Sequence, residues 1–157
     1  MKYIFLCLAL IAGFSASAQF SVGGRHNTFD ETHIKWDFTV SQVENKYTIE
    51  ATAALENGWH IFSANPGGDG SLTPTQIEVN EIASLKIPVE FKESGSLVEK
   101  NLEGIGEVKY YEHKATFKIT FVVSADIKSF TGNIAYQICN DVMCMAPTTK
   151  SFSVNVK

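Results

Sequence analysis

Apolar and polar side chains alternate with period two along most of this chain. Ile34, Trp36, Phe38 and Val40 are interleaved with Lys35, Asp37, Thr39 and Ser41, the pattern of a strand with one buried face. The turn signal Glu44-Asn45-Lys46 follows, then Tyr47, Ile49, Ala51, Ala53 and Leu55 repeat the alternation until Glu56-Asn57-Gly58 stops it, so two paired strands are expected. Weaker alternations occupy 76–79 and 85–91, and Pro88 inside the second points to an edge strand or a bulge, because proline donates nothing to a ladder. The pattern returns at Phe117, Ile119, Phe121 and Val123, at Ile134, Tyr136 and Ile138, and at Phe152, Val154 and Val156. No long window carries a helical period. Six to eight short strands separated by turn signals predict an all-β chain, folded as an immunoglobulin-like two-sheet β-sandwich; periodicity alone leaves a closed barrel open. Two stretches rich in glycine, 63–74 and 92–107, read as long loops, and loops of that length often carry function.

The first residues break the pattern. Met1 and Lys2 precede an almost unbroken apolar run, Tyr3 to Phe14, and Ala16-Ser17-Ala18 has the small-x-small form of a signal-peptide cleavage site. Residues 1–18 are therefore expected to be removed on export, leaving residues 19–157 as a single domain in an oxidising compartment, the periplasm or the exterior. Nothing after Gln19 approaches the ~20 apolar residues of a membrane helix, so the mature chain is not expected to span a membrane. Cleavage takes away Lys2 and no acidic residue, leaving 12 basic against 17 acidic side chains. With no basic patch, nucleic acid is not an expected partner. Cys7 leaves with the leader, and Cys139 and Cys144 remain.

Those two cysteines lie in Ile134-Ala135-Tyr136-Gln137-Ile138-Cys139-Asn140-Asp141-Val142-Met143-Cys144-Met145-Ala146-Pro147. With Ile134, Tyr136 and Ile138 pointing to the core, period two sends Cys139 to the opposite face, where its sulfur is not expected to be deeply buried. Asn140 to Met143 can close a hairpin, and facing residues about 5.5 Å apart at Cα are within disulfide range. Such a bond has two readings. It is a staple, although a loop this short contributes only about 2 kcal/mol by loop-closure arithmetic, or it is a redox pair, placed at a hairpin tip where a partner thiolate can reach it.

Tyr136-Gln137-Ile138-Cys139, the short loop, Cys144-Met145-Ala146-Pro147 and a closing Thr-Lys-x-Phe-x-Val strand resemble the N-terminal periplasmic domain of the thiol:disulfide interchange protein DsbD, also called the disulfide bond corrector domain. Asn57-Gly58-Trp59-His60-Ile61-Phe62-Ser63 looks like that family's Gly-aromatic-x-x-aromatic segment. The resemblance implies an immunoglobulin-like module that takes electrons from a membrane donor and passes them to thioredoxin-like or other periplasmic disulfide proteins. It implies that Cys144 forms the mixed disulfide and Cys139 resolves it. It also implies supporting roles for His60 and Phe62, at positions where relatives carry aromatic residues, and for Tyr136. The family's cap loop falls at Asn101 to Glu107, where the usual aromatic is absent and Leu102 or Ile105 supplies the apolar cover. The family's paired prolines are reduced here to Ala146-Pro147.

No Lys or Arg lies between the cysteines and Asp141 does, which opposes a strongly acidic thiol and points to a carrier of reductant. The last strand closes at Lys157, so the electron donor is expected to act in trans. No cofactor and no metal are expected, and His26, His33, His60 and His113 show no metal-ligand spacing. Two rival readings stay open: a binding sandwich with an inert hairpin disulfide, and a Cu(I)-handling protein using Cys139, Cys144, Met143 and Met145 with His60 or His113.

Overall fold

The structure is a computed structural model that describes residues 32–83, 89–124 and 126–157. The expected leader, residues 1–18, and His26 lie outside the described residues, as does most of the alternation at 85–91. The described residues form nine strands and one helical turn: β1 (Ile34–Val43), β2 (Lys46–Leu55), β3 (His60–Gly67), β4 (Gln76–Val79), α1 (Asn80–Ala83), β5 (Val89–Leu102), β6 (Gly106–Val122), β7 (Ser129–Tyr136), β8 (Ile138–Cys139) and β9 (Thr148–Asn155). They build two sheets. The larger runs β1-β2-β6-β3-β8 with β5 also paired to β6, and the smaller runs β4-β7-β9. This is the expected immunoglobulin-like sandwich.

Strands with clean alternation stand where the pattern put them. β1 and β2 pair from Ile34↔Leu55 to Val43↔Lys46 around a turn in which Glu44 adopts φ 56°. The inward faces of the two sheets meet in a core of two adjoining clusters. Ala51, Ala53, Ile61, Tyr111, Phe117, Ile134, Tyr136 and Ile138 are in one; Tyr47, Ile49, Phe121, Phe130, Phe152 and Val154 are in the other.

The second long loop is largely strand and the first is strand only in its opening part. Ser63 to Gly67 completes β3, and Lys92 to Leu102 belongs to β5, which pairs with β6 along its whole length as an edge strand. β3 is buried on both faces at Ile61 to Ser63, with Ile61 toward the sandwich core and Phe62 toward the other side, so period-two contrast is lost there. β5 is exposed over most of its length, so the apolar half of the pattern is missing. One glycine breaks its register. Gly95 has φ 151°, and the pairing jumps from Gly95↔Ala115 to Ser96↔Glu112.

The run from Ile134 to Ile138 is not one strand. β7 stays in the smaller sheet, and after Gln137 the chain crosses to the edge of the larger sheet, where β8 pairs with β3 through His60↔Cys139 and Ile61↔Ile138. That crossing places the cysteines.

Candidate functional site

Beyond β8 the chain turns tightly. The Asn140 N–H donates to the Met143 carbonyl at 2.9 Å, and the Met145 N–H donates to the Ile138 carbonyl at 2.9 Å. Asn140 Oδ1 accepts from the N–H groups of Val142 and Met143, which locks the turn from within. Cys139 and Cys144 face each other between those two backbone bonds and form the disulfide, with Cα atoms 4.0 Å apart. The expected spacing of about 5.5 Å belongs to hydrogen-bonded pairs. This is a non-hydrogen-bonded pair, where facing residues approach to about 4.5 Å.

The two sulfurs have unlike surroundings. Cys144 is exposed, beside Val142 at 91% and Met143 at 53% exposure. Cys139 is only 2% exposed, which corrects the expectation of a shallow sulfur. The face was read correctly, since Ile138 packs into the sandwich core and Cys139 points the other way. That outer face carries a third cluster, in which Phe62, Val108 and Tyr110 bury Cys139.

Leu72, Val98, Leu102 and Ile105 pack against this cluster from the sides. Leu102 and Ile105 flank the turn that joins β5 to β6, closed by the Ile105 N–H donating to the Leu102 carbonyl at 3.1 Å. The Gly68 N–H donates to the Glu107 carbonyl at 2.9 Å, tying this turn to the loop after β3. The segment expected as a free cap loop is thus the tip of a long hairpin, held in place by Gly68.

His60 is half-buried. Its ring stands 4.3 Å from that of Tyr110 and 5.7 Å from that of Phe62. Burial holds the imidazole below the usual histidine range and Lys100 adds to this, while the carboxylates of Glu112 and Asp141 oppose it. The lowered pKa favours the neutral imidazole at neutral pH. Tyr136 is the expected site residue that lies elsewhere, packed in the sandwich core with its ring 5.1 Å from Trp36.

Tyr110, Glu112 and Gln137 were missed as site residues. Tyr110 and Glu112 share the outer face of β6 with Val108, while Tyr111, Ala115 and Phe117 face the sandwich core, so this end of β6 is buried on both faces and loses the period-two contrast. Gln137 Nε2 donates to the Met145 carbonyl at 3.0 Å, and its Oε1 accepts from the Thr73 N–H at 3.3 Å. It clamps the outgoing arm of the cysteine turn to the loop after β3. Its signal was an amide two residues before Cys139, at the point where the strand pattern breaks. The copper set does not converge, because Met145 packs on the sandwich core while Cys139 faces away from it.

A buried and an exposed cysteine thus share one tight turn beneath an apolar rim. The family model for the N-terminal part of the thiol:disulfide interchange protein DsbD matches residues 28–156. The chain belongs to the DsbD N-terminal domain family. Among solved structures, it is similar to the N-terminal periplasmic domain of ScsB from Proteus mirabilis, with TM-score 0.58 and 20% identity over 78% of this chain and 46% of that one. It therefore spans about half of that ScsB chain. It is also similar to the reduced DsbD N-terminal domain of Neisseria meningitidis, with TM-score 0.57 and 16% identity over 80% of this chain and 86% of that one. A third structure, the complex of the Neisseria meningitidis DsbD and PilB N-terminal domains, matches with TM-score 0.51 and 13% identity over 76% of this chain and 80% of that one. At these identities the structures bear on the fold, and family membership rests on the sequence model. No curated protein matches the chain. Among the described residues, no helix is long and apolar enough to cross a membrane.

Proposed function

We propose that this protein is an exported thiol-disulfide exchange module, which carries reducing equivalents through Cys139 and Cys144 to periplasmic disulfide proteins of thioredoxin-like kind. The observation that carries the reading is the unequal exposure of the two sulfurs. Cys144 is open to a partner thiolate or disulfide, whereas Cys139 is 2% exposed and reachable only from Cys144. This is the division of labour that exchange requires. The exposed sulfur joins the partner, and the buried one, already adjacent, displaces it at high effective concentration. In the reverse direction a reductant, in this reading a membrane donor in trans, attacks Cys144 and leaves Cys139 as the departing sulfur. Residues 1–18 act as the signal peptide and residues 19–157 as the working domain. Leu102, Ile105 and Phe62 shield the pair until a partner docks.

The deciding measurement is the reduction potential of the pair, obtained by equilibration in thiol buffers and trapping of free thiols for mass analysis. A value between about −120 and −270 mV is expected. A bond that stays oxidised below about −300 mV, and reacts only after denaturation, makes it a staple and the chain a binding sandwich. The Cys139→Ala variant should accumulate a mixed disulfide on Cys144, and the Cys144→Ala variant should not accumulate one on Cys139.

A further inference from the structure

The strands that carry Cys144 and Cys139 place two further side chains in line with them. Cys144 faces Cys139, Cys139 faces His60 on β3, and His60 faces Glu112 on β6. Register partners share one face of a sheet with Cβ atoms about 4.5–5.5 Å apart. The row thus reads carboxylate, imidazole, buried sulfur, exposed sulfur. We propose that His60, backed by Glu112, is the proton acceptor and donor for Cys139. This rests on the exchange reading above and adds to it a route for the proton.

The need for such a group follows from burial. Phe62, Val108 and Tyr110 enclose Cys139, and an apolar enclosure is a poor place to form a thiolate unless a base stands beside it. Every element around His60 contributes to its state. Tyr110 and Glu112 come from β6, Lys100 from β5, Phe62 from β3 itself, and Asp141 from the cysteine turn. Their balance favours the neutral imidazole at neutral pH, able to accept a proton, while Glu112 and Asp141 stabilise the imidazolium once it forms.

The step balances as follows. The Cys144 thiolate attacks a partner disulfide, and the partner's first sulfur leaves as a thiolate that takes a proton from solvent. Cys139 then attacks Cys144 Sγ. The Cys139–Cys144 bond forms, the mixed disulfide breaks, and its electron pair leaves on the partner's second sulfur. The Cys139 proton passes to the His60 imidazole and from there to that departing sulfur. Two electrons and two protons reach the partner, and the pair ends oxidised. When the disulfide is reduced again, the proton released by the attacking thiol passes through solvent to the His60 imidazole and from there to Cys139 as it leaves.

The test uses the reduced protein and the aromatic disulfide 5,5′-dithiobis(2-nitrobenzoic acid), which releases one coloured thiolate when Cys144 reacts and a second when Cys139 resolves. Stopped-flow traces are taken from pH 5 to 9 for the protein and its His60→Phe, His60→Gln and Glu112→Gln variants. Both His60 variants are expected to slow the second release at least about tenfold at pH 7, within the range of general acid–base groups, and to leave the first unchanged. The lower inflection in the pH profile of the second release should vanish with them, and should move to lower pH in Glu112→Gln. A second release with unaltered rate and profile in the His60 variants overturns the relay and leaves the exchange reading standing, as does equal slowing of both releases. Absence of both releases from the unmodified protein before denaturation overturns the exchange reading and the relay together. Should His60→Phe fail to fold, the profiles of His60→Gln and Glu112→Gln decide.

Discussion

His60 has a measurable consequence for stability apart from any role in exchange. Its pKa is lowered in the folded protein, chiefly by burial, so the unfolded chain takes up the proton first as pH falls below the ordinary histidine value. In that window the unfolded state binds more protons, and stability falls with decreasing pH. Urea midpoints measured between pH 7 and pH 5 should decline, and His60→Phe should flatten that decline. Tyr111 acts at the opposite end. Burial first, then the charge and hydrogen bond of Glu93, push its pKa up to about 12. The folded state keeps a proton that the unfolded chain loses near pH 10, so stability should drop from pH 10 toward pH 12, and Tyr111→Phe should remove part of that drop. Phe62 matters through packing. It is buried on the outer face beside Cys139, and Phe62→Ala should lower stability by about 3–5 kcal/mol in urea titrations. None of these roles could be assigned from residue type. His60 and Phe62 entered through a family resemblance, and Tyr110 and Glu112 did not enter at all.

The β5–β6 hairpin joins the edge of the larger sheet to the surroundings of the disulfide. β5 is held to β3 by Glu93, whose carboxylate accepts from Ser63 Oγ at 2.6 Å and from the Ala64 N–H at 2.8 Å. Gly95 supplies the bulge, and a Cβ there would lie 2.3 Å from the Lys114 carbonyl oxygen. Gly95→Ala is expected to cost about 1–3 kcal/mol in strain and to disturb the far end of the hairpin, where Leu102 and Ile105 cover the sulfur cluster. Truncating that tip with Leu102→Ala and Ile105→Ala should raise the rate at which dithiothreitol reduces the disulfide by several-fold, with a stability loss of about 2 kcal/mol, since both side chains are only partly buried. A rate unchanged by the double substitution would remove the cap role. This hairpin was the least legible element in the sequence. An edge strand with two wetted faces carries charges on both, and its lysines and glutamates keep it from pairing with another chain, so period-two contrast disappears.

Across the molecule, the disulfide contributes little to the fold. Its sequence separation is 5, and closing so short a loop is worth about 2 kcal/mol against a core that spans both sheets. Reduction should leave the far-ultraviolet circular dichroism unchanged and lower the unfolding free energy by about that amount; global unfolding on reduction would instead mark the bond as structural. A sandwich that holds its shape in both redox states can exchange electrons without refolding. The exposed end of the disulfide is also localised. Cys144, Met143 and Val142 project at the turn, while Gln137 anchors the arms behind them.

Alternation alone determined the all-β class, the β1–β2 hairpin and the faces of β2, β7 and β9, because a strand with one wet face writes its burial directly into period two; it favoured a sandwich, and the pairing of strands into two sheets decided against a closed barrel. The spacing and compartment of Cys139 and Cys144 likewise made their pairing readable, and period two assigned Cys139 to the right face. Only the tertiary structure decided how deep that sulfur lies. Its burial depends on Phe62 from β3 and on Val108 and Tyr110 from β6, which are far apart in sequence and meet only when the chain leaves one sheet after Gln137 and joins the other. The row from Glu112 to Cys144 exists for the same reason. Cross-strand register is a property of non-local pairing, and no local pattern encodes which residue of one strand will face which residue of another.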